Sequence, residues 1–438
     1  MAAMALWAAP AQAASPQPLI VGGTTVASAA EAPWAARIII TEEGGVGLCS
    51  GSIIDPQRVV TAAHCISRDR PAAYEVVAGD TGGHESAEEE GAMQRRFAVS
   101  ARISPGYVPD AIGHSDAAVL TVDPPFDFSG PEVRPIAVVP ESGGLAYGSP
   151  ARIFGWGMVE FGRLDGREHS LLLSLIPQWR CAGGLPAAMC GQASSGSICK
   201  GDSGGGLVST GNPPLLLGVA SFGHYKCQPG TQGGYANLAT PELHRWLEGD
   251  PDPPPAPAAE EGAFLLGNTS VGGAASCLHP SWANAEELRT LFVFPESGRQ
   301  AEFGEEGSYL SRPADVGQLL GCVSVARGEG GLTESGLSQI ERIAGHSNEL
   351  LRLRRRFRRG DRWVARLALA GPLLGDRLKV KWKARGCSSR GWTFKRARRL
   401  TVISSPRGCA ERPLMKVRVP QATVGDVVYR TSTFRLRL

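Results

Sequence analysis

From about residue 20 to residue 240, short apolar runs rich in Val, Ile and Leu are broken every few positions by Gly, Pro or Asp, which predicts a succession of short β-strands. Pro241–Glu248 departs from this pattern, because Leu243, Trp246 and Leu247 recur at helical spacing. Asp250–Ala258 reads DPDPPPAPA; its prolines fix the backbone and remove amide donors, which predicts an extended spacer. Beyond it, Thr290–Phe294 and Gly321–Val325 read as strands, and Arg377–Lys383 alternates basic with apolar residues, the period of a strand with one apolar face. No apolar run approaches the roughly 20 residues of a membrane-spanning helix.

The chain has 438 residues, enough for two to four domains at roughly 100–200 residues each. Five segments are expected: 1–19 as a leader and short propeptide, 20–248 as the main domain, 249–261 as the Pro-rich linker, and 262–335 and 349–438 as two smaller β-rich modules. With 56 Gly and 32 Pro, a helical bundle is disfavoured and the fold class is all-β. The net charge of +3 conceals an asymmetry, since residues 350–438 hold 25 Lys and Arg against 4 Asp and Glu.

Met1–Ala13 is apolar and ends in Ala11-Gln12-Ala13, the small-x-small pattern behind which a signal peptidase cuts, although no Lys or Arg precedes Arg37. The ten cysteines fall into local neighbourhoods: Cys49 and Cys65, Cys181 and Cys190, Cys199 and Cys227, Cys277 and Cys322, Cys387 and Cys409. Paired Cys-x-x-Cys spacings are missing, so a disulfide framework in a secreted protein is expected rather than zinc, and neither a metal nor a cofactor is expected.

Nucleophilic acyl transfer needs a hydroxyl, a base in reach, a carboxylate to orient that base, and amides for the developing oxyanion. Gly201-Asp202-Ser203-Gly204-Gly205 sets a serine in a turn whose Gly201 and Ser203 amides can point at one oxygen. Thr61-Ala62-Ala63-His64-Cys65 supplies a histidine beside a cysteine, and Asp116 stands at the mouth of the apolar run Ala117–Leu120.

With Ile20-Val21-Gly22-Gly23, Cys49-Ser50-Gly51-Ser52-Ile53, Gly155-Trp156-Gly157, Met189-Cys190, Ser221-Phe222-Gly223 and Gly234-Tyr235-Ala236-Asn237 in order around these motifs, residues 20–248 resemble the trypsin/chymotrypsin family of serine proteases. The resemblance implies two six-stranded antiparallel β-barrels with His64, Asp116 and Ser203 as the triad and Ser221 supporting Asp116. It implies pairings Cys49–Cys65, Cys181–Cys190 and Cys199–Cys227, and a zymogen in which cleavage after Leu19 frees the Ile20 ammonium to pair with Asp202, leaving Ala14–Leu19 as a propeptide. Ser197 would form the base of the specificity pocket, with Gly223 and Gly233 as walls and Ile198 narrowing it. No carboxylate at the base disfavours Arg and Lys, so cleavage of protein or peptide substrates after apolar or aromatic residues is expected. Residues 79–90 lie where some members carry a calcium loop, and their acidic run reads as a solvated loop.

Residues 262–335 resemble bacterial immunoglobulin-like modules through Cys277, Trp282, Ser308-Tyr309, Ala314-Asp315-Val316-Gly317 and Cys322, which implies a Cys277–Cys322 bridge. The basic segment 349–438 resembles a tail module of secreted actinobacterial proteins through Pro420–Gly425 and Val427–Arg430, with Cys387–Cys409 as its staple. Its charge suits an anionic cell-wall polymer, an acidic polysaccharide or nucleic acid; a solvated β-face is the other reading. The alternative for the whole chain is a non-catalytic adhesion or polyanion-binding protein that uses the protease fold as a scaffold.

Overall fold

Alternation along the first strands shows how the sequence closes a barrel: Ala36 and Ile38 are fully buried and Ile40 nearly so, while Thr41 faces solvent. In the computed structural model, described for residues 20–66, 72–82, 93–109, 115–159, 162–181, 188–346 and most strand residues of 351–437, six such strands form a ring. They are Ala35–Glu42 (β1), Gly45–Ile53 (β2), Arg58–Thr61 (β3), Ala72–Ala78 (β4), Gln94–Ile103 (β5) and Ala118–Asp123 (β6). All pairs are antiparallel, in the order β1-β2-β3-β6-β5-β4, and β4 closes on β1.

A second ring follows: Pro150–Gly155 (β7), His169–Ile176 (β8), Ala188–Gln192 (β9), Gly206–Ser209 (β10), Leu215–Phe222 (β11) and Gln232–Asn237 (β12). Its order is β7-β8-β9-β12-β11-β10, closed by β10 on β7. The double antiparallel barrel is therefore the architecture found. One continuous core serves both barrels and includes Ile38, Ile53, Leu120, Ile153, Leu207 and Leu216, all fully buried. Helix α1, Pro241–Glu248, is capped by the Thr240 hydroxyl, which accepts from the Leu243 amide at 3.4 Å, and ends at Gly249 with φ 108°. It buries Leu243, Trp246 and Leu247 on the face that the spacing assigned.

The chain divides into two compact units. The first holds both barrels, continues to Glu260, and takes in Ser281–Glu287 and Ala326–Gly336 from the C-terminal half. Part of the Pro-rich stretch is buried in it: Pro253, Ala256 and Pro257 are covered, and the Ala256 amide donates to Glu242 at 3.0 Å. The other Glu242 oxygen accepts from Ser115. The second unit, Glu261–Pro280, Leu288–Val325 and Leu337–Leu438, is built from further β-strands. One of its cores gathers Phe292, Phe294 and Tyr309 around the Cys277–Cys322 disulfide. The other gathers Leu378, Val380, Met415 and Val417. Residues 1–19, the acidic loop beyond Gly82, and Cys387 and Cys409 lie outside the described residues. Among those described, no helix is long and apolar enough to cross a membrane.

Candidate active site

His64 lies in the short turn Ala63–Cys65 that follows β3, and the Cys49–Cys65 disulfide ties that turn to β2. Asp116 stands two residues ahead of β6, next to β3 in the ring, so strand pairing alone brings acid and imidazole together. Its carboxylate accepts from the His64 amide at 2.9 Å through Oδ1, and Oδ2 lies 2.7 Å from His64 Nδ1. The Ser221 hydroxyl, from β11 of the other barrel, donates to the same Oδ2 at 2.6 Å. Burial alone would raise the Asp116 carboxyl, but the bonds from His64 and Ser221 outweigh it and hold it below the usual carboxylate range. With Nδ1 committed to the acid, Nε2 is the nitrogen left for a proton-transfer partner.

Ser203 reaches the same place through its turn. A Cβ on Gly204 would lie 2.1 Å from Thr61 Oγ1 and 2.2 Å from the Ser50 carbonyl, and Gly204 also has φ 84°, so only glycine allows this loop to press onto the strand that leads to His64. The Ser203 carbonyl accepts from the Ser50 amide at 2.7 Å and lies 3.8 Å from the Cys65 sulfur. No hydrogen bond joins the Ser203 hydroxyl to His64 among the described residues.

The amides around the serine divide into two sets. Asp202, Gly204 and Gly205 donate to the carbonyls of Cys199, Ala220 and Asp202. Gly201 and Ser203 make no such bond among the described residues, which leaves two donors for an oxygen bound at the turn. Ser50 braces this arrangement: its hydroxyl donates to the Gly201 carbonyl at 2.9 Å and accepts from the Trp156 amide at 3.3 Å. The sequence placed Ser50 in a motif without showing this role.

Asp202 is fully buried, accepting from the Gly157 amide at 2.9 Å and the Cys199 amide at 2.8 Å, and burial pushes its carboxyl up to about 7. No cation pairs with it among the described residues. Ile20 is completely buried, and the Val21 carbonyl accepts from the Ser197 amide at 2.8 Å.

The pocket residues come together in an order that their spacing did not reveal. Ile198 is buried, and its side chain lies between the two glycines: a Cβ on Gly223 would meet Ile198 Cγ1 at 2.9 Å, and one on Gly233 would meet Ile198 Cδ1 at 3.0 Å. A cavity of about 240 Å³ opens beside Ser203, walled by Ile198, Ser221, Phe222, Gly223 and neighbours. Ser197 and Gly233 are not on its wall; the Ser197 hydroxyl donates to the Ile198 carbonyl at 3.1 Å and lies 3.1 Å from Thr231 Oγ1. The remaining disulfides of this unit, Cys181–Cys190 and Cys199–Cys227, pair as the resemblance implied. Asp80, in the region of the acidic loop, is buried in an ion pair with Arg37.

Comparison with known proteins agrees with this geometry. The family model described as Trypsin matches residues 20–247. Trypsin beta of Drosophila erecta is 29% identical over 238 residues, covering 52% of this chain and 87% of the relative. Trypsin delta of Drosophila melanogaster is 29% identical over 241 residues, with the same coverage. Serine protease 56 of Mus musculus is 30% identical over 243 residues, covering 52% of this chain and 38% of its own length. The match takes in both barrels and the whole constellation of His64, Asp116 and Ser203, and on that ground the chain belongs to the trypsin family of serine proteases.

Proposed function

We propose that the protein is a secreted serine endopeptidase that cleaves after aliphatic residues. The observation that carries the catalytic reading is the chain Ser221 to Asp116 to His64, bonded at 2.6 and 2.7 Å and set beside a turn with two unengaged amides. His64 Nε2 takes the proton of Ser203 as its hydroxyl attacks a peptide carbonyl, and returns it to the leaving amine. Asp116, ionised, fixes the tautomer and stabilises the imidazolium. The oxyanion forms against the Gly201 and Ser203 amides, and water then releases the acyl group by the reverse sequence.

Ile198 sets the substrate class. By occupying the slot between Gly223 and Gly233 it narrows the pocket, which favours Val or Leu over Phe or Tyr, and a basic side chain finds no carboxylate. The buried Asp202 supports activation by cleavage before Ile20: a new ammonium there would supply the cationic partner of a carboxyl that now has amide partners alone. Leu19 suits the same pocket, so the enzyme is its own candidate activator. The disulfides support an extracellular setting.

The test is hydrolysis of succinyl-Ala-Ala-Pro-X-nitroanilides, with X as Val, Leu, Phe or Arg, by protein whose N-terminus is Ile20, beside Ser203→Ala. Turnover at Val or Leu that vanishes in the variant is expected. Absence of turnover with every substrate would favour the scaffold reading.

A further inference from the structure

In the second unit, Thr393–Arg396, Arg377–Lys383, Leu414–Val419 and Ser432–Arg437 form one antiparallel sheet in that order. Leu378, Val380, Met415, Val417 and Val419 are fully buried on one face, so the residues between them stand on the other. That face carries Lys379, Lys381, Lys383, Lys416, Arg418 and Arg435, each exposed or half-exposed. Register sets Lys381, Lys416 and Arg435 abreast on three adjacent strands.

Strands lie about 4.8 Å apart, so these are like charges at close range, an arrangement that destabilises a sheet. Solvated faces intersperse both signs, whereas these four strands contain no Asp or Glu. An anion laid across the rows removes the repulsion. Ammonium and guanidinium groups only donate, and apart from the Thr433 hydroxyl the described side chains of this face offer no acceptor. The phosphates of a phosphodiester chain present a charged acceptor at every repeat, matched to rows that only donate.

We propose that this sheet face binds a flexible phosphodiester polymer through the phosphates of its backbone. The test uses the full chain carrying Ser203→Ala and a fluorescent oligothymidylate, titrated at several salt concentrations. Replacing Lys381, Lys416 and Arg435 by Gln is expected to weaken binding at least tenfold and to lower the salt slope by about two, at roughly 0.7 per phosphate contact. Replacing Arg354, Arg407 and Arg430, basic residues elsewhere in the tail, is expected to cost far less. Equal losses in the two triple variants would reduce the effect to net charge and overturn the proposal. Tighter binding of hyaluronate or of phosphatidylglycerol vesicles than of the oligonucleotide would overturn it as well. Lys381→Arg with Lys416→Arg keeps the charges and should bind like the parent; weakness equal to the Gln protein would show that sheet integrity, and not charge, had been tested, and the proposal would fall.

Discussion

The hydroxyl of Tyr147 donates to Glu334 at 3.1 Å across 187 residues of sequence. The other Glu334 oxygen accepts from the Trp179 amide at 3.1 Å, and the Glu334 amide donates to Gln178 Oε1 at 3.2 Å. A strand segment far beyond the family match is thus stitched into the unit that holds both barrels, at the turn that leads into the Cys181–Cys190 loop. Glu334→Ala would leave the Trp179 amide unpaired in a buried site and should cost about 1–3 kcal/mol. Glu334→Gln should cost less, since burial raises the Glu334 carboxyl and the neutral amide escapes that penalty. Thermal unfolding of the three proteins, monitored through nitroanilidase activity, checks the order; equal stability of all three would show that the stitch carries no weight.

Most of the barrel unit was legible because local chemistry and global fold agree there. Strand alternation, the Gly-rich turn at Ser203 and the Pro241–Glu248 helix each declare themselves within a few residues. Three features were not legible, for one shared reason: they are decided by residues remote in sequence. Ser50 gained its bracing role only when its strand met Gly201 and Trp156. Ile198 is a pocket residue by its position next to Ser197, but its place between Gly223 and Gly233 is set by strands remote in sequence and by side-chain direction, which spacing does not encode. Glu334 had no signal in the sequence, being one acid in an otherwise unremarked strand.

If Ile198 closes the pocket, shortening it should reopen the space. Ile198→Gly is expected to raise kcat/KM for the Phe nitroanilide relative to Val by roughly 10–200-fold, the range for fitting or refusing a few methylenes. Ser197→Asp in the parent should leave Arg cleavage negligible, because Ile198 stands over it. Combining both substitutions should admit Arg. Efficient Arg cleavage by Ser197→Asp alone would contradict this order of layers.

Asp116→Asn keeps the shape but offers an amide where a carboxylate accepts from the His64 amide, Nδ1 and Ser221. It should lower kcat by roughly 10⁴, through loss of the correct tautomer. Ser221→Ala removes one of the bonds that hold Asp116 low and should be much milder. The sign of the stability effect follows from the lowered Asp116 value: its contribution is present above the unfolded pKa of 3.8 and is lost as pH falls further. Acid unfolding of Asp116→Asn should therefore show a weaker pH dependence below pH 4 than the parent, and an unchanged dependence would count against it.

Asp202 has the opposite sign. Its carboxyl is raised from 3.8 to about 7 by burial, so without an ammonium partner the folded form prefers it protonated. Between those limits the unfolded chain gives up the proton first, and stability falls as pH rises, by at most about 1.4 kcal/mol per pH unit. Uncut Ser203→Ala protein should lose stability from pH 4 to pH 7 by this route, and Asp202→Asn in that background should flatten the slope. Cleavage before Ile20 supplies the cation, so cut protein should show no such loss across the same range. Denaturant unfolding of the three forms at several pH values decides the matter: parallel slopes in cut and uncut protein would mean that Ile20 and Asp202 never meet.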